Sequence, residues 1–158
     1  MTLKNHQVLA LVNAGVLSST NHDVAVKDAY KVFKLRKALS KALTALQDSE
    51  KTLLEENGIG DPTAFNEKIQ ELVKSTEDSA KDELAEMQKQ IVAYNSQREE
   101  LYNDDADLGD IIPISYESWN ALQNENKAKE VNGNTVDIFS GGVEEILEGI
   151  FWTAPSEE

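Results

Sequence analysis

Residues 27–56 read KDAYKVFKLRKALSKALTALQDSEKTLLEE, and their apolar side chains recur at the spacing of a helix that packs along one face. Intervals of 7, 4, 3 and 7 residues separate one valine and four leucines, which is a heptad-like pattern. The pattern predicts one long helix over residues 27–56. Val26, Tyr30 and Phe33 open a second apolar stripe at its N-terminal end, so we expect that end to be buried on two sides. The heptad positions are Val32, Leu39, Leu43, Leu46 and Leu53.

The segment after this helix contains a stop signal and then a second long helical pattern. Residues 57–62 read NGIGDP; glycine suits the position after a helix, whereas proline cannot continue one. From Pro62 or Thr63 to about Tyr102, apolar residues recur at intervals of 3 and 4 with one slip in phase. Residues 75–82 are polar, so the sequence leaves open whether this helix is continuous. We expect the two long helices to pair as an antiparallel hairpin.

Shorter elements flank the hairpin. Residues 3–17 predict a first helix with a partial apolar face, which ends near Gly15. The last third of the chain predicts a small α+β element, because turn signals alternate there with short apolar segments. Its parts are an acidic loop at 104–107, an edge strand at 111–114, a helix at 116–127 capped by Ser115, a hairpin turn at Asn132-Gly133 and a final helix from Ser140.

The fold class that follows is mainly α, a long antiparallel helical hairpin with a small C-terminal α+β element. We assign residues 1–103 to the hairpin and its N-terminal helix, 104–152 to the α+β element, and 153–158 to a disordered tail. A chain with 40% apolar but only 6% aromatic residues supports a modest core. Because helices gain most of their stability by packing an apolar face, the remaining apolar stripe favours self-association.

Charge is distributed unevenly along the chain. Fifteen basic and 29 acidic residues give a net charge of -14, yet residues 1–41 carry +5 and residues 42–158 carry -19. Four lysines of the first long helix recur at intervals of 4, 3 and 7 and share one face. Either they pair with glutamates of the hairpin, or they dock on an acidic partner such as the -19 region of a second copy. The lysines are Lys27, Lys31, Lys34 and Lys41, and the glutamates are Glu83, Glu86, Glu99 and Glu100.

The overall acidity bears on two classes of partner. A sequence pI near 4.5 argues against nucleic acid, because its phosphates would be repelled. A membrane-spanning or secreted protein is not predicted either, since the apolar stretch of residues 8–16 is short and is broken by Asn13 and Gly15. We expect the protein to be made and kept in the cytoplasm, or assembled into a particle made there.

Sequence motifs for catalysis and for metal or cofactor binding are missing. The chain has no cysteine and no glycine-rich phosphate loop, and His6 and His22 stand apart from any paired-ligand spacing. The aspartates of residues 104–110 do not match an EF-hand loop: with Asp105 at position 1, a glycine occupies position 5 and Tyr116 occupies position 12. We therefore predict no catalytic residue, no cofactor, no metal site and no enzymatic activity.

Apolar and aromatic residues are the remaining candidates for function. On the two long helices they either form the core of the hairpin or contact a partner. Phe151 and Trp152 near the C-terminus have the same two interpretations, core or interface. The candidates on the long helices are Tyr30, Phe33, Leu84, Met87 and Ile91.

Three stretches of the chain resemble a known family. They are LKN at residues 3–5, VAVKDAYKV at residues 24–32, and the leucine- and glutamate-rich segment at residues 46–58. Together they resemble the opening of a family of small phage-encoded proteins of unknown function. The helical pattern of residues 63–102 and the Asn132-Gly133 hairpin depart from that family. The resemblance implies a bacteriophage protein that belongs to the virion or to its assembly.

Two functional hypotheses follow. The first is a non-enzymatic structural or assembly protein that forms homo-oligomers and contacts other assembly proteins. The alternative is an acidic binding module or chaperone for a basic partner protein.

Overall fold

The computed structural model describes residues 2–13, 26–127, 130–131, 134–135, 145–148 and 151–152. Most of these residues are helical, so the predicted mainly α class is confirmed. Residues 145–147 add a further helical turn. The elements in chain order are β1 (Thr2–Lys4), α1 (Asn5–Asn13), α2 (Val26–Glu56), α3 (Pro62–Lys74), α4 (Asp78–Asn103), β2 (Asp105–Asp107), α5 (Tyr116–Lys127), β3 (Glu130–Val131) and β4 (Asn134–Thr135).

The longest helix, α2, is the one predicted over residues 27–56, and its bounds agree to within one residue. Three heptad positions, Val32, Leu39 and Leu46, are at most 3% exposed. The expected burial of its N-terminal end on two sides is wrong, because Tyr30 and Phe33 are 62% and 58% exposed. Both lie away from the side that carries the buried heptad positions, so the core contacts only one face of this segment.

The second helical pattern forms two helices, α3 and α4, rather than one. The backbone of Ser75 is extended (φ -75°, ψ 141°), and its N–H donates to the carbonyl of Leu72, which ends α3. The polar segment therefore interrupts the helix, which answers the question that the sequence left open. At the start of α3, Asp61 Oδ1 accepts a hydrogen bond from Thr63 N at 2.8 Å, and Pro62 occupies the first turn. The helix therefore starts at Pro62, as predicted from the sequence.

The end of α2 pairs with α4 in the antiparallel sense predicted for the hairpin. Glu50 Oε1 lies 2.6 Å from Nε of Arg98, near the end of α4. Eight residues after Glu50, in the turn that follows α2, Gly58 approaches Gln90, which lies earlier in α4. Because the order of contacts is reversed along the two segments, they run in opposite directions.

Residues 44–104 form one compact unit, to which α3 adds a third helical segment. α3 lies against the first half of α4, where Lys68 Nζ is 2.5 Å from Glu83 Oε1. Ala80 and Met87 of α4 are each 5% exposed. α4 is therefore shared between two pairings, with α3 along its first half and the end of α2 along its second half.

The other compact unit comprises residues 1–43 and 105–158. This division differs from the predicted boundary after residue 103, since the N-terminal part of the chain groups with the C-terminal part. The core of this unit combines residues from β1, α1, α2, β2 and the C-terminal segment. It contains Leu3, Val8, Leu11, Val32, Leu35, Leu39, Ala42, Ala106, Leu108, Ile114, Trp119, Leu147, Phe151 and Trp152.

Two segments of this unit are strands where the sequence predicted other structure. Residues 2–4 form β1 rather than the first turns of a helix, and residues 105–107 form β2 rather than an acidic loop. The two strands pair antiparallel, with Leu3 opposite Ala106. Both side chains are buried, at 3% and 7% exposure, and this burial favours the pairing despite the aspartates on either side. The first helix begins only at Asn5.

The predicted helix over residues 116–127 is present with the same bounds as α5. Ser115 Oγ accepts a hydrogen bond from Ser118 N at 3.3 Å, so Ser115 caps α5 as expected. The predicted edge strand at 111–114 is reduced to one bridge, between Ile114 and Trp152.

The remaining C-terminal predictions are partly covered by the structure. β3 and β4 pair antiparallel, with Val131 opposite Asn134, whereas the predicted turn at Asn132-Gly133 lies outside the described residues. The predicted final helix is described only at residues 145–147. The start of that helix, the tail at residues 153–158, His22 and the end of the first predicted helix lie outside the described residues.

Candidate functional site

One face of α2 carries lysines and aromatic residues that are all exposed. Its six members recur at intervals of one to four residues between positions 27 and 41, so they form a surface about 21 Å long at 1.5 Å per residue. We call it the lysine-aromatic face. Its members are Lys27, Tyr30, Phe33, Lys34, Lys37 and Lys41.

The opposite face of the same segment is buried. Val32, Leu35 and Leu39 are at most 2% exposed and belong to the core of the unit that contains residues 1–43. A surface helix ordinarily presents polar residues on its outer face, because exposed apolar surface is unfavourable in water. Tyr30 and Phe33 are nevertheless more than half exposed, so both rings are available to a partner.

The lysine-aromatic face is strongly basic. Asp28 is the only acidic residue between positions 27 and 47, and it is buried on the opposite side of the helix. Lys34 Nζ lies 5.4 Å from the centroid of the Tyr30 ring, a cation–π contact that holds charge and ring together. Lys27, Lys37 and Lys41 form no ion pair within the described part of the chain.

Lys31, which the spacing rule placed in the same stripe, has a structural role. Its Nζ lies 3.0 Å from Asp28 Oδ1 and donates to the carbonyl oxygen of Pro113 at 2.8 Å. Lys37 is exposed and lies on the same face as the other lysines, although the 4, 3, 7 spacing did not include it. The sequence contains no local signal for this exchange, because the contact that captures Lys31 joins residues 82 positions apart.

Two of the hairpin glutamates that were candidate partners of the lysine stripe form ion pairs with other lysines. Glu83 pairs with Lys68, and Glu86 Oε2 lies 3.3 Å from Lys89 Nζ. Both ion pairs use lysines of residues 44–104 rather than those of the lysine-aromatic face.

A buried carboxylate fixes the orientation of this part of α2. Asp28 Oδ2 accepts hydrogen bonds from Ser115 N at 3.2 Å, from Ser115 Oγ at 2.8 Å and from Ser118 Oγ at 2.7 Å. Burial alone would raise the pKa of Asp28, but the hydrogen bonds from Ser118, Lys31 and Ser115 outweigh burial and hold the pKa well below its usual value. Asp28 is therefore ionised at neutral pH. Its bonds to the start of α5 keep the lysine-aromatic face directed outward.

The candidates on α4 occupy packed positions. Met87 is 5% exposed, and Leu84 and Ile91 are partly buried. Of the residues predicted on the long helices, only Tyr30 and Phe33 are thus more than half exposed.

The C-terminal aromatic pair is part of the core. Phe151 and Trp152 are 1% and 8% exposed. The Trp119 ring stacks on the Trp152 ring at a centroid distance of 5.6 Å and meets the Phe151 ring edge-on at 6.5 Å. Of the two interpretations left open for this pair, the structure shows the core.

A groove of about 510 Å³ lies between the end of α2 and the end of α4. Its carboxylate side chains are exposed and its leucines are partly buried, so it has an acidic rim over an apolar interior. Sequence reasoning missed it, because its two walls lie almost fifty residues apart. The sequence indicates only that the residues of each wall, such as Asp48 and Thr52, share a helix face because they are four positions apart. The rim and interior include Asp48, Thr52, Leu53, Glu100, Leu101 and Asp104.

The acidic residues that suggested a cation site have local partners. Asp105 Oδ1 pairs with Lys4 Nζ at 2.6 Å, and Asp107 Oδ1 accepts a hydrogen bond from Gly109 N at 2.8 Å. Across the residues that the structure describes, no group of three or more His, Asp or Glu side chains is arranged to hold a metal ion. None of the described helices is both long enough and apolar enough to cross a membrane.

No protein-family model, curated protein or solved structure matches this chain.

Proposed function

We propose that this chain is a non-enzymatic structural or assembly protein that associates with copies of itself through the lysine-aromatic face. The observation that carries the proposal is the pairing of two exposed aromatic rings with four exposed lysines on a helix whose other face is anchored in the core. Aromatic residues are favoured at the centre of protein interfaces, since each buries a large area at a small cost in conformational entropy.

The size of the expected effect is modest. Full burial of one large apolar side chain contributes about 1.5–3 kcal/mol. Tyr30 and Phe33 already have part of their surface covered, so their further burial contributes about 2 kcal/mol together, or roughly thirtyfold in a dissociation constant. An interface to which the rings contribute this little is expected to be reversible and to depend on charge for its specificity.

The setting that we propose is a bacteriophage particle or its assembly in the host cytoplasm. Support for this setting comes from the three stretches of sequence that resemble the phage-encoded family. Other assembly proteins are then further partners for the same basic face.

The experiment is sedimentation velocity of the full chain over a concentration series. The test variant, Tyr30→Ser with Phe33→Ser, removes both rings from the lysine-aromatic face without touching the core. The matched control, Val73→Ser with Val92→Ser, removes two apolar residues that are 64% and 68% exposed elsewhere. We expect the wild type and the control to self-associate alike and the test variant to require at least about tenfold higher concentration. A wild type that stays monomeric throughout would end the proposal.

A second function is favoured by the groove between α2 and α4, whose acidic rim suits a basic partner protein. In that case the chain acts as an acidic binding module or chaperone. A monomeric wild type that binds a basic amphipathic peptide, and loses it after Asp48→Asn with Glu100→Gln, would support this function over self-assembly.

A further inference from the structure

The proposed self-association requires a surface that receives the lysine-aromatic face, and this chain carries one of complementary character. The groove between α2 and α4 presents three exposed carboxylates, those of Asp48, Glu100 and Asp104. No lysine or arginine lines it. The Thr52 side chain adds a hydroxyl, and its hydrogen bond to the carbonyl of Asp48 keeps it within the groove wall.

The apolar character of the two surfaces also matches. Leu53 and Leu101 lie inside the groove and are partly buried, so each retains apolar surface that a ring can cover. On the lysine-aromatic face, Tyr30 and Phe33 project between the lysines. Lys34 lies four positions after Tyr30, and Lys37 lies four positions after Phe33. A ring that enters the groove therefore brings lysines to its acidic rim.

We propose that the lysine-aromatic face of one copy docks in the α2–α4 groove of a second copy. This inference rests on the proposed function, and it adds the identity of the receiving surface. The two surfaces belong to different compact units of the chain, so each contact joins unlike surfaces. After one such contact, one copy has its groove unused and the other its lysine-aromatic face. Assembly then closes as a reciprocal dimer or a ring, or extends as a filament.

A second copy fits the face better than nucleic acid does. The chain has a net charge of -14, and the part of it within residues 44–104 has fifteen acidic against six basic residues. This charge attracts the basic face of another copy and repels a phosphate backbone. The net charge therefore favours a carboxylate-bearing partner.

The test is a pair of charge-reversal variants that fail alone and succeed together. The face variant changes Lys27, Lys34, Lys37 and Lys41 to Glu, and leaves Lys31 with its buried partner. The groove variant changes Asp48, Glu100 and Asp104 to Lys. All seven positions are exposed, so the fold is expected to survive, and circular dichroism checks this. The matched control changes Glu67, Glu71 and Asp82 to Lys, which adds the same charge on exposed positions outside the groove.

Sedimentation at low salt then separates the outcomes. Each variant alone has two surfaces of like charge, so we expect at least about tenfold weaker self-association than for the wild type and the control. An equimolar mixture restores opposite signs at both contacts, because the acidic face meets the basic groove and the native face meets the native groove. We expect the mixture to recover assembly.

Two results would overturn the inference. If the wild type associates and the face variant does not, while the groove variant behaves as the control does, the face is correct and the groove is not its receptor. Loss of single-stranded oligonucleotide binding in the face variant, with a wild type that never self-associates, would assign the face to nucleic acid and would also reject the proposed function.

Discussion

At the level of single residues, Asp28 is a buried ionised group that joins two helices. Its carboxylate is fully buried, and it holds the starts of α2 and α5 together through two serines and a lysine. Replacement of a whole buried charged cluster by apolar side chains often changes stability little. Removal of the carboxylate alone is costly, because its buried hydrogen-bond donors then have no acceptor.

Asp28→Ala is therefore expected to lower the free energy of unfolding by about 3 kcal/mol at pH 7, because Ser118 and Ser115 lose their acceptor. Chemical denaturation monitored by circular dichroism measures the change. Asp110→Ala, at an exposed carboxylate in the same unit, is the control and should differ from the wild type by less than about 0.5 kcal/mol. Equal effects of the two substitutions would contradict the anchoring role.

The same residue predicts a dependence of stability on pH. The folded-state pKa of Asp28 lies below its usual 3.8, so the unfolded chain takes up a proton there first. The stabilisation is then complete above about pH 4 and is lost as the pH falls through the lowered pKa. We expect the difference in unfolding free energy between the wild type and Asp28→Asn to be constant from pH 7 to 5 and to shrink towards pH 3. A difference that grows on acidification would reverse the assigned sign.

At the level of elements, the turn between α2 and α3 contains two glycines in the left-handed region. Gly58 and Gly60 have φ values of +71° and +59°. They differ in their surroundings: a Cβ at Gly58 would lie 2.8 Å from Gln90 Nε2, whereas one at Gly60 would meet nothing within 4 Å. The pair therefore separates backbone strain from the contact between the turn and α4.

Gly60→Ala is expected to cost about 1 kcal/mol from the left-handed backbone alone. Gly58→Ala should cost more, because the Gln90 amide must also move. Addition of Gln90→Ala to both variants is expected to remove the difference between them, and thermal unfolding of the four proteins measures it. If Gly58→Ala stays the costlier substitution without the Gln90 side chain, the packing of the turn on α4 does not explain the difference.

The success of sequence reasoning also differed between elements. The bounds of α2 and α5 follow from local signals, namely the leucine spacing, the NGIGDP stop and the serine cap. β1 and β2 have no such signal, since each has three residues and exists through a partner about a hundred positions away. The exposure of Tyr30 and Phe33 was equally hidden, because an apolar stripe looks the same in sequence whether the protein's own core or a second molecule covers it.

At the level of the whole molecule, charge has two opposing effects that salt distinguishes. The net charge of -14 means that acidic side chains repel one another within the folded chain. Added salt screens this repulsion and is therefore expected to stabilise the monomer. Salt also screens attraction between the lysine-aromatic face of one copy and an acidic surface of the next, so it should weaken self-association. One salt series then moves the two quantities in opposite directions.

The measurement pairs unfolding at a protein concentration below the association range with sedimentation above it, from about 0.02 to 0.5 M salt. The face variant with four Lys→Glu changes has a net charge of -22, eight units more negative than the wild type. Salt should stabilise the monomer of this variant more than it stabilises the wild-type monomer. Salt should not weaken its self-association further, because the charge attraction that salt screens is already removed. Association that strengthens with salt in the wild type would instead indicate a contact governed by the aromatic rings alone, since screening removes the charge attraction and leaves apolar burial intact.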